Sequence, residues 1–251
     1  MWIGYAQPAI KRGDNSWQRC SLENRGAGSG RTASPGGPVL LEGSSYIAVL
    51  FRVSGRTVEK IRTYSLDCEL DAGGLPLVWF NGVSTGESLS LLSSLDQESA
   101  VTAIALHAGD AAGALLEKYA AQGEEKRRKN AIFWLLNTRA GNPRVVNQII
   151  QIARSDASAN VRGHALFWLA QKAGGKAAGT ITSAIRDDPD TKVKERAIFA
   201  LSQLPKDRGI PLLIEQARTN KNPAVRKRAI FWLGQSKDPR ALAFIEEILT
   251  R

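Results

Sequence analysis

One short motif recurs four times in the second half of this 251-residue chain. Each copy ends in Ala, an aliphatic residue, Phe, usually Trp, and Leu, and its alanines are spaced by 34, 32 and 32 residues. An amide side chain follows two residues after each closing Leu. Recurrence at this period indicates one supersecondary unit that is stacked on copies of itself. The copies are Arg127–Leu135, Val161–Leu169, Val193–Leu201 and Val225–Leu233, and the amides are Asn137, Gln171, Gln203 and Gln235.

A further apolar stretch with helical spacing follows each copy of the motif, so each unit reads as a pair of helices. Pro143, Pro211 and Pro239 stand near the expected helix starts, where the missing N–H does no harm. Neither helix of a pair can bury its apolar face alone, and stacking the pairs makes one continuous core. The second stretches are Val145–Ala153, Ile181–Ile185, Ile210–Ala217 and Leu242–Leu249.

An acidic turn, then Val-Arg, Ala and a Leu eight residues after the Val resembles the HEAT-repeat family over about residues 126–251. The chain is especially similar to the short HEAT-like repeats of phycobilin lyases. The resemblance implies a ladder between an Asp of each turn and an Arg early in the second helix, which we interpret as structural. Lys194 and Asn220 depart from the family pattern and weaken the ladder there. The matching pairs, each six residues apart, are Asp156 with Arg162, Asp188 with Lys194, and Asn220 with Arg226.

In residues 1 to about 83, Gly and Ser are frequent, and runs of β-branched or aromatic residues are short. Ser45–Val53 and Thr57–Leu66 flank Ser54-Gly-Arg56, which predicts a β-hairpin, and Leu75–Phe80 is a further strand. Val39–Glu42 is a candidate edge strand, and Gly26–Gly37 reads as a mobile loop. We therefore predict an α+β chain, in which a small antiparallel β domain (residues 1–83) is followed by an all-α HEAT-like α-α superhelix.

Residues 84–125 are predicted to form capping helices and a degenerate first repeat, and residues 126–251 the repeats proper. Ser84 and Glu87 have the spacing of a capping box before an apolar run.

The two cysteines, Cys20 and Cys68, lie in the β-rich region and are too few for a zinc site. Either a disulfide or two buried thiols would fit.

We expect no membrane span, since no run of eighteen apolar residues occurs, and the chain is expected to be cytoplasmic, or exported with its signal absent.

No catalytic arrangement is visible. His107 and His164 are the only histidines, and His164 occupies a repeat position that is filled elsewhere by Asn130, Arg196 and Arg228. That pattern is typical of a polar surface position. We therefore expect no enzyme activity, no metal and no cofactor.

The net charge of +10 is uneven, because residues 1–91 hold 9 Lys or Arg and 8 Asp or Glu while the rest hold 25 and 16. Helical projection places a stripe of Phe side chains, a row of cations and a row of amides away from the predicted core. In HEAT proteins the second helix lines the concave face, so this surface is a candidate for binding an extended peptide, although the Phe stripe would equally fit packing between repeats. The candidate residues are Phe133, Asn137, His164, Phe167, Gln171, Arg196, Phe199, Gln203, Lys227, Arg228, Phe231 and Gln235.

The sequence is compatible with three hypotheses about function. The first is a non-catalytic scaffold that binds another protein or an extended peptide with acidic groups through this face. The second is a nucleic-acid-binding module that uses the basic surface of the repeats. The third and weakest is an enzyme related to phycobilin lyases, for which no residue here argues.

Overall fold

The structure is a computed structural model that describes residues 1–10, 19–23 and 45–250. The predicted loop Gly26–Gly37 and edge strand Val39–Glu42 lie outside the described residues. The chain forms two compact units, Met1–Leu116 and Glu117–Arg251. The predicted domain borders after residues 83 and 125 stay predictions.

The described strands of the first unit are β1 (Trp2–Pro8), β2 (Arg19–Ser21), β3 (Tyr46–Ser54), β4 (Thr57–Ser65), β5 (Glu69–Asp71) and β6 (Leu77–Phe80). Four of them form a sheet in the order β4-β3-β1-β6. The β1–β3 and β3–β4 pairs are antiparallel, whereas β6 joins β1 in parallel, so the sheet is mixed and not antiparallel throughout as predicted. After β4 the chain first pairs in β5 with β2 in a separate two-stranded sheet, so β6 does not follow β4 as the next strand of a hairpin.

One face of the four-stranded sheet packs on Leu22 and Leu70 through Trp2 and Leu50. Gly4 is required here, because a Cβ atom on it would lie 2.7 Å from Leu50 Cδ2 and 2.9 Å from the Trp79 ring. Residues alternate in direction along a strand, so Ile3, Tyr5 and Phe51 point to the opposite face. That face forms a cleft with the first helix of the unit.

Three helices complete the first unit and lead into the second: α1 (Thr85–Ser94), α2 (Glu98–Leu106) and α3 (Asp110–Ala121). The capping box at the start of α1 is present, since Ser84 Oγ accepts from the Glu87 amide and Glu87 Oε2 accepts from the Ser84 amide at 2.9 Å.

Eight α-helices among the described residues form the repeat array of the second unit: α4 (Glu125–Thr138), α5 (Pro143–Ser155), α6 (Ala159–Ala173), α7 (Ala178–Asp187), α8 (Thr191–Ser202), α9 (Lys206–Thr219), α10 (Pro223–Gly234) and α11 (Pro239–Leu249). The helices α4, α6, α8 and α10 are the second helices of the repeats and contact one another in sequence, while each of α5, α7 and α9 packs on the second helix that follows it. The predicted helix pairs and the α+β class are therefore confirmed.

Local sequence explains most helix starts in the array. Asn142, Asn222 and Asp238 cap α5, α10 and α11 through their side chains, and each is followed by Pro in the first turn. The array differs from the prediction at α9, which begins at Lys206 and contains Pro211 within the helix.

Candidate partner-binding face

The aromatic rings of the second helices form a ladder that crosses the repeats. The Phe133 ring lies 4.7 Å from the Trp168 ring, edge to face, and Phe167 stacks on Phe199 at 5.5 Å. Phe199 in turn lies 4.7 Å from Trp232. These separations are typical of favourable aromatic pairs. The first three Phe rings of the stripe are half-buried by this packing.

Phe231 is the exception, because 48% of it is exposed. It contacts the ring of its neighbour Trp232 at 5.1 Å, at one end of the ladder. Projection of single helices did not foresee that the Trp rings join the Phe rings. The adjacent Phe and Trp in three of the four motifs were the available signal.

The cation row consists of His164, Arg196 and Arg228, and its side chains contact neighbouring second helices. His164 Nε2 lies 2.9 Å from the carbonyl oxygen of Lys129, and Arg228 Nη2 lies 3.8 Å from Glu195 Oε2. Burial lowers the pKa of His164, although the hydrogen bond to the Lys129 carbonyl acts in the opposite direction. His164 is therefore held as a packing residue, and the exposed arginines are left as the cations of the row.

The Arg196 side chain, on α8, crosses the preceding second helix α6 at Gly163, where no side chain stands in its way. A Cβ atom on Gly163 would lie 2.4 Å from Arg196 Cδ. The Arg196 guanidinium reaches the carbonyl oxygen of Asn160 at 3.5 Å and stays exposed. The absence of a side chain at Gly163 thus fixes where this cation is presented.

The amide row is also joined across repeats. Gln171 Nε2 donates to Gln203 Oε1 at 2.9 Å, and Gln203 Nε2 donates to Ser202 Oγ at 3.0 Å. Asn137 turns back to the carbonyl of Phe133 at 2.7 Å. Gln235 lies at the end of the row and is exposed.

Four exposed members of the predicted set lie on α10 or directly after it, whereas Asn137, Gln171 and Arg196 are exposed on α4, α6 and α8. Lys227, Arg228, Phe231 and Gln235 are all exposed. Their spacing places them along one side of the helix, since residues three and four apart are neighbours there. A hydrophobic ring is thus flanked by two cations and an amide.

The turn carboxylates pair with arginines of the preceding repeat, whereas the pairs predicted from the sequence lie six residues apart within one repeat. The carboxylate of Asp156 binds Arg128, and that of Asp188 binds Arg162, each one repeat earlier. Within its own repeat, Arg162 donates to the Asp156 carbonyl oxygen, and Arg226 likewise to that of Asn220.

The Lys194 rung differs from the Arg162 and Arg226 rungs, whose guanidinium groups donate to a turn carbonyl six residues earlier. Its ammonium instead donates to the carbonyl oxygen of Arg186 at 3.0 Å. These contacts are structural, because they hold turns together rather than presenting charge.

The remaining predicted residues lie in the first unit. Cys20 and Cys68 form a disulfide bond, which decides between the two alternatives that spacing left open. His107 is fully buried, and its ring nitrogens contact Ser88 and the Ala103 carbonyl. Among the described residues, no helix is both long and apolar enough to cross a membrane.

The repeats match a known family. The family model for HEAT repeats matches residues 146–216 and again residues 178–251. A search of curated proteins found no match.

The solved structures that are similar to the chain include the following three. The CpcE and CpcF complex of phycocyanin lyase from Nostoc sp. PCC7120 is 23% identical, with a TM-score of 0.44 over 61% of this chain and 100% of that chain. YibA of Escherichia coli is 23% identical, with a TM-score of 0.46 over 66% of this chain and 64% of that chain. An engineered protein is 16% identical, with a TM-score of 0.32 over 66% of this chain and 90% of that chain. The family match confirms the prediction made from the motif: residues 146–251 of this chain are HEAT repeats.

Proposed function

We propose that the second-helix face binds an acidic segment of a partner protein, and that the chain acts as a non-catalytic scaffold. The observation that carries this proposal is Phe231, an aromatic ring left 48% exposed where the other Phe rings of the stripe are packed. Exposed aromatic rings beside arginine are frequent at the centre of protein interfaces.

The charge of the second unit favours an acidic partner. Residues 117–251 hold 25 Lys or Arg and only 13 Asp or Glu. Arg196 and Arg228 are exposed on the face itself, where a carboxylate could approach both guanidinium groups. Electrostatic complementarity of this kind sets partner choice and the rate of association.

The test is affinity capture with charge-reversed variants. The double variant Arg196→Glu/Arg228→Glu is expected to lose partners that the original chain captures, with little change in thermal unfolding. Arg186→Glu is the matched control, because Arg186 is an exposed arginine on α7, a first helix, and is expected to retain capture. Equal capture by all three chains would exclude this face, and a large loss of stability in the double variant would show that the cations are structural.

The second candidate function is nucleic-acid binding, which the same positive charge favours. Binding of random-sequence duplex, measured over a range of salt concentrations, separates the two. Phosphate contacts give a steep loss of affinity with salt that the double variant would reduce. Absent or salt-insensitive binding of the duplex would leave the protein-partner function.

A further inference from the structure

A recessed surface lies within the first unit, between the four-stranded sheet and α1. This sheet–helix cleft has a volume of about 540 Å³. Ligand sites of proteins typically have volumes of about 300–1,000 Å³. Its apolar walls come from all four strands of the main sheet, the segment after β6, and α1: Ile3, Phe51, Val58, Phe80, Val83 and Leu91.

Two of the wall residues, Phe80 and Leu91, are exposed by 51% and 44%. Large apolar side chains that are left open beside a cleft form an accessible entrance. Within the part of the chain that the structure describes, Glu87 is the one charged side chain in the lining, and it is engaged by the Ser84 amide and hydroxyl. The described residues of the lining therefore offer no cation to an anionic ligand.

The most buried polar groups of the lining are Tyr5 and Ser88, which are 4% and 0% exposed. The Tyr5 hydroxyl lies 2.8 Å from Ser88 Oγ, and Ser88 Oγ lies 2.8 Å from His107 Nε2. His107 Nδ1 lies 2.7 Å from the carbonyl oxygen of Ala103. The three side chains form one chain of hydrogen bonds that ends on a backbone carbonyl.

The carbonyl fixes the direction of this chain. A carbonyl oxygen can only accept, so the proton of neutral His107 resides on Nδ1 and its Nε2 accepts from Ser88. Ser88 then accepts from Tyr5. Every proton of the chain is used internally, and Tyr5 Oη and Ser88 Oγ retain only lone pairs. Burial lowers the pKa of His107, which keeps the imidazole in this neutral form near neutral pH.

We propose that the sheet–helix cleft binds an uncharged, mainly apolar small molecule that donates one hydrogen bond to Tyr5 Oη, such as a long-chain alcohol, a phenol or an aromatic amine. The apolar walls match the body of such a ligand. The acceptor-only polar end matches its donor, and the described lining residues, which include no cation, discriminate against carboxylates.

The experiment uses the whole chain and N-phenylnaphthylamine, a neutral apolar fluorophore with one N–H donor. Saturable fluorescence enhancement at one site is expected, and decanol should displace the fluorophore while decanoate, which has the same chain length, should not. Displacement by decanoate as effective as that by decanol would overturn the proposed ligand class, and the absence of saturable enhancement would overturn the site.

Leu91→Gln and Leu242→Gln form a matched pair of variants, because these leucines are 44% and 50% exposed and Leu242 lies on α11 in the other unit. Leu91→Gln is expected to weaken binding about fivefold and Leu242→Gln to leave it unchanged. Equal effects of the two would place the fluorophore elsewhere.

Tyr5→Phe removes the terminal acceptor and tests the hydrogen bond separately. It is expected to weaken fluorophore and decanol binding about fivefold. Thermal unfolding of each variant shows whether it remains folded. Unchanged affinity in folded Tyr5→Phe would contradict the assignment of Tyr5 Oη as the acceptor of the ligand's hydrogen bond.

Discussion

The guanidinium of Arg162 binds the carboxylate of Asp188 through two parallel hydrogen bonds, Nε to Oδ2 at 2.7 Å and Nη2 to Oδ1 at 2.9 Å. The two residues lie on successive repeats, and both are nearly fully buried. The same guanidinium donates from Nη1 to the Asp156 carbonyl oxygen at 2.7 Å. One side chain thus joins the turns of two neighbouring repeats.

Arg162→Ala is expected to lower the free energy of unfolding of the second unit by about 3–5 kcal/mol, because the Asp188 carboxylate would remain buried without its partner. Urea-induced unfolding measures the change. Arg186→Ala is the control, since Arg186 pairs with its neighbour Asp187 at the surface and should change stability by less than about 1 kcal/mol. Similar losses in both variants would show that burial of the pair adds nothing.

The stability of the first unit is expected to fall as the pH is lowered. Burial depresses the pKa of His107, so the unfolded chain takes up a proton at a higher pH than the folded chain. The destabilisation begins as the pH falls through the ordinary His value and is complete below the depressed folded value. Urea-induced unfolding of the original chain and His107→Gln, from about pH 8 to about pH 5, measures it.

The difference between those two chains isolates His107, because His164 is present in both. The original chain should lose more stability towards low pH than His107→Gln does. Parallel pH profiles would mean that the folded chain accommodates the proton on His107.

Phe199 and Phe231 are expected to respond differently to truncation. Phe199→Ala should destabilise the second unit by about 2–3 kcal/mol, because the ring packs between Phe167 and Trp232. Phe231→Ala should change stability by about 0.5 kcal/mol or less and instead reduce partner capture. Thermal unfolding and capture, measured on both variants, distinguish packing from binding. A large stability loss in Phe231→Ala would remove it from the binding face.

Reduction of the Cys20–Cys68 disulfide is expected to destabilise the first unit. The bond closes a loop with a sequence separation of 48, for which the chain-entropy relation gives about 4 kcal/mol. Thermal unfolding with and without a thiol reductant measures the effect, and Cys20→Ala/Cys68→Ala should match the reduced chain and be insensitive to the reductant. An unchanged midpoint on reduction would show that strand packing alone holds β2 and β5.

Local sequence patterns are sufficient to predict the repeat architecture. The period of the motif, the caps at Asn142 and Asn222 and the helical spacing of apolar residues are local signals that act within one helix or turn. The same holds for the β3–β4 hairpin around Gly55, whose φ of 58° glycine adopts without strain. Such features are predictable because the residues that cause them are close in the chain.

Tertiary structure decided which candidate residues are available to a partner. Projection on one helix gave all four Phe positions the same status, yet three rings pack across repeats and only Phe231 is strongly exposed. Tertiary packing also pairs Arg162 with the Asp188 carboxylate of the next turn and places β6 parallel to β1. It brings Tyr5, Ser88 and His107 into one hydrogen-bonded chain. These contacts join residues that are distant in sequence, and their geometry depends on how helices and strands pack, which no local pattern encodes.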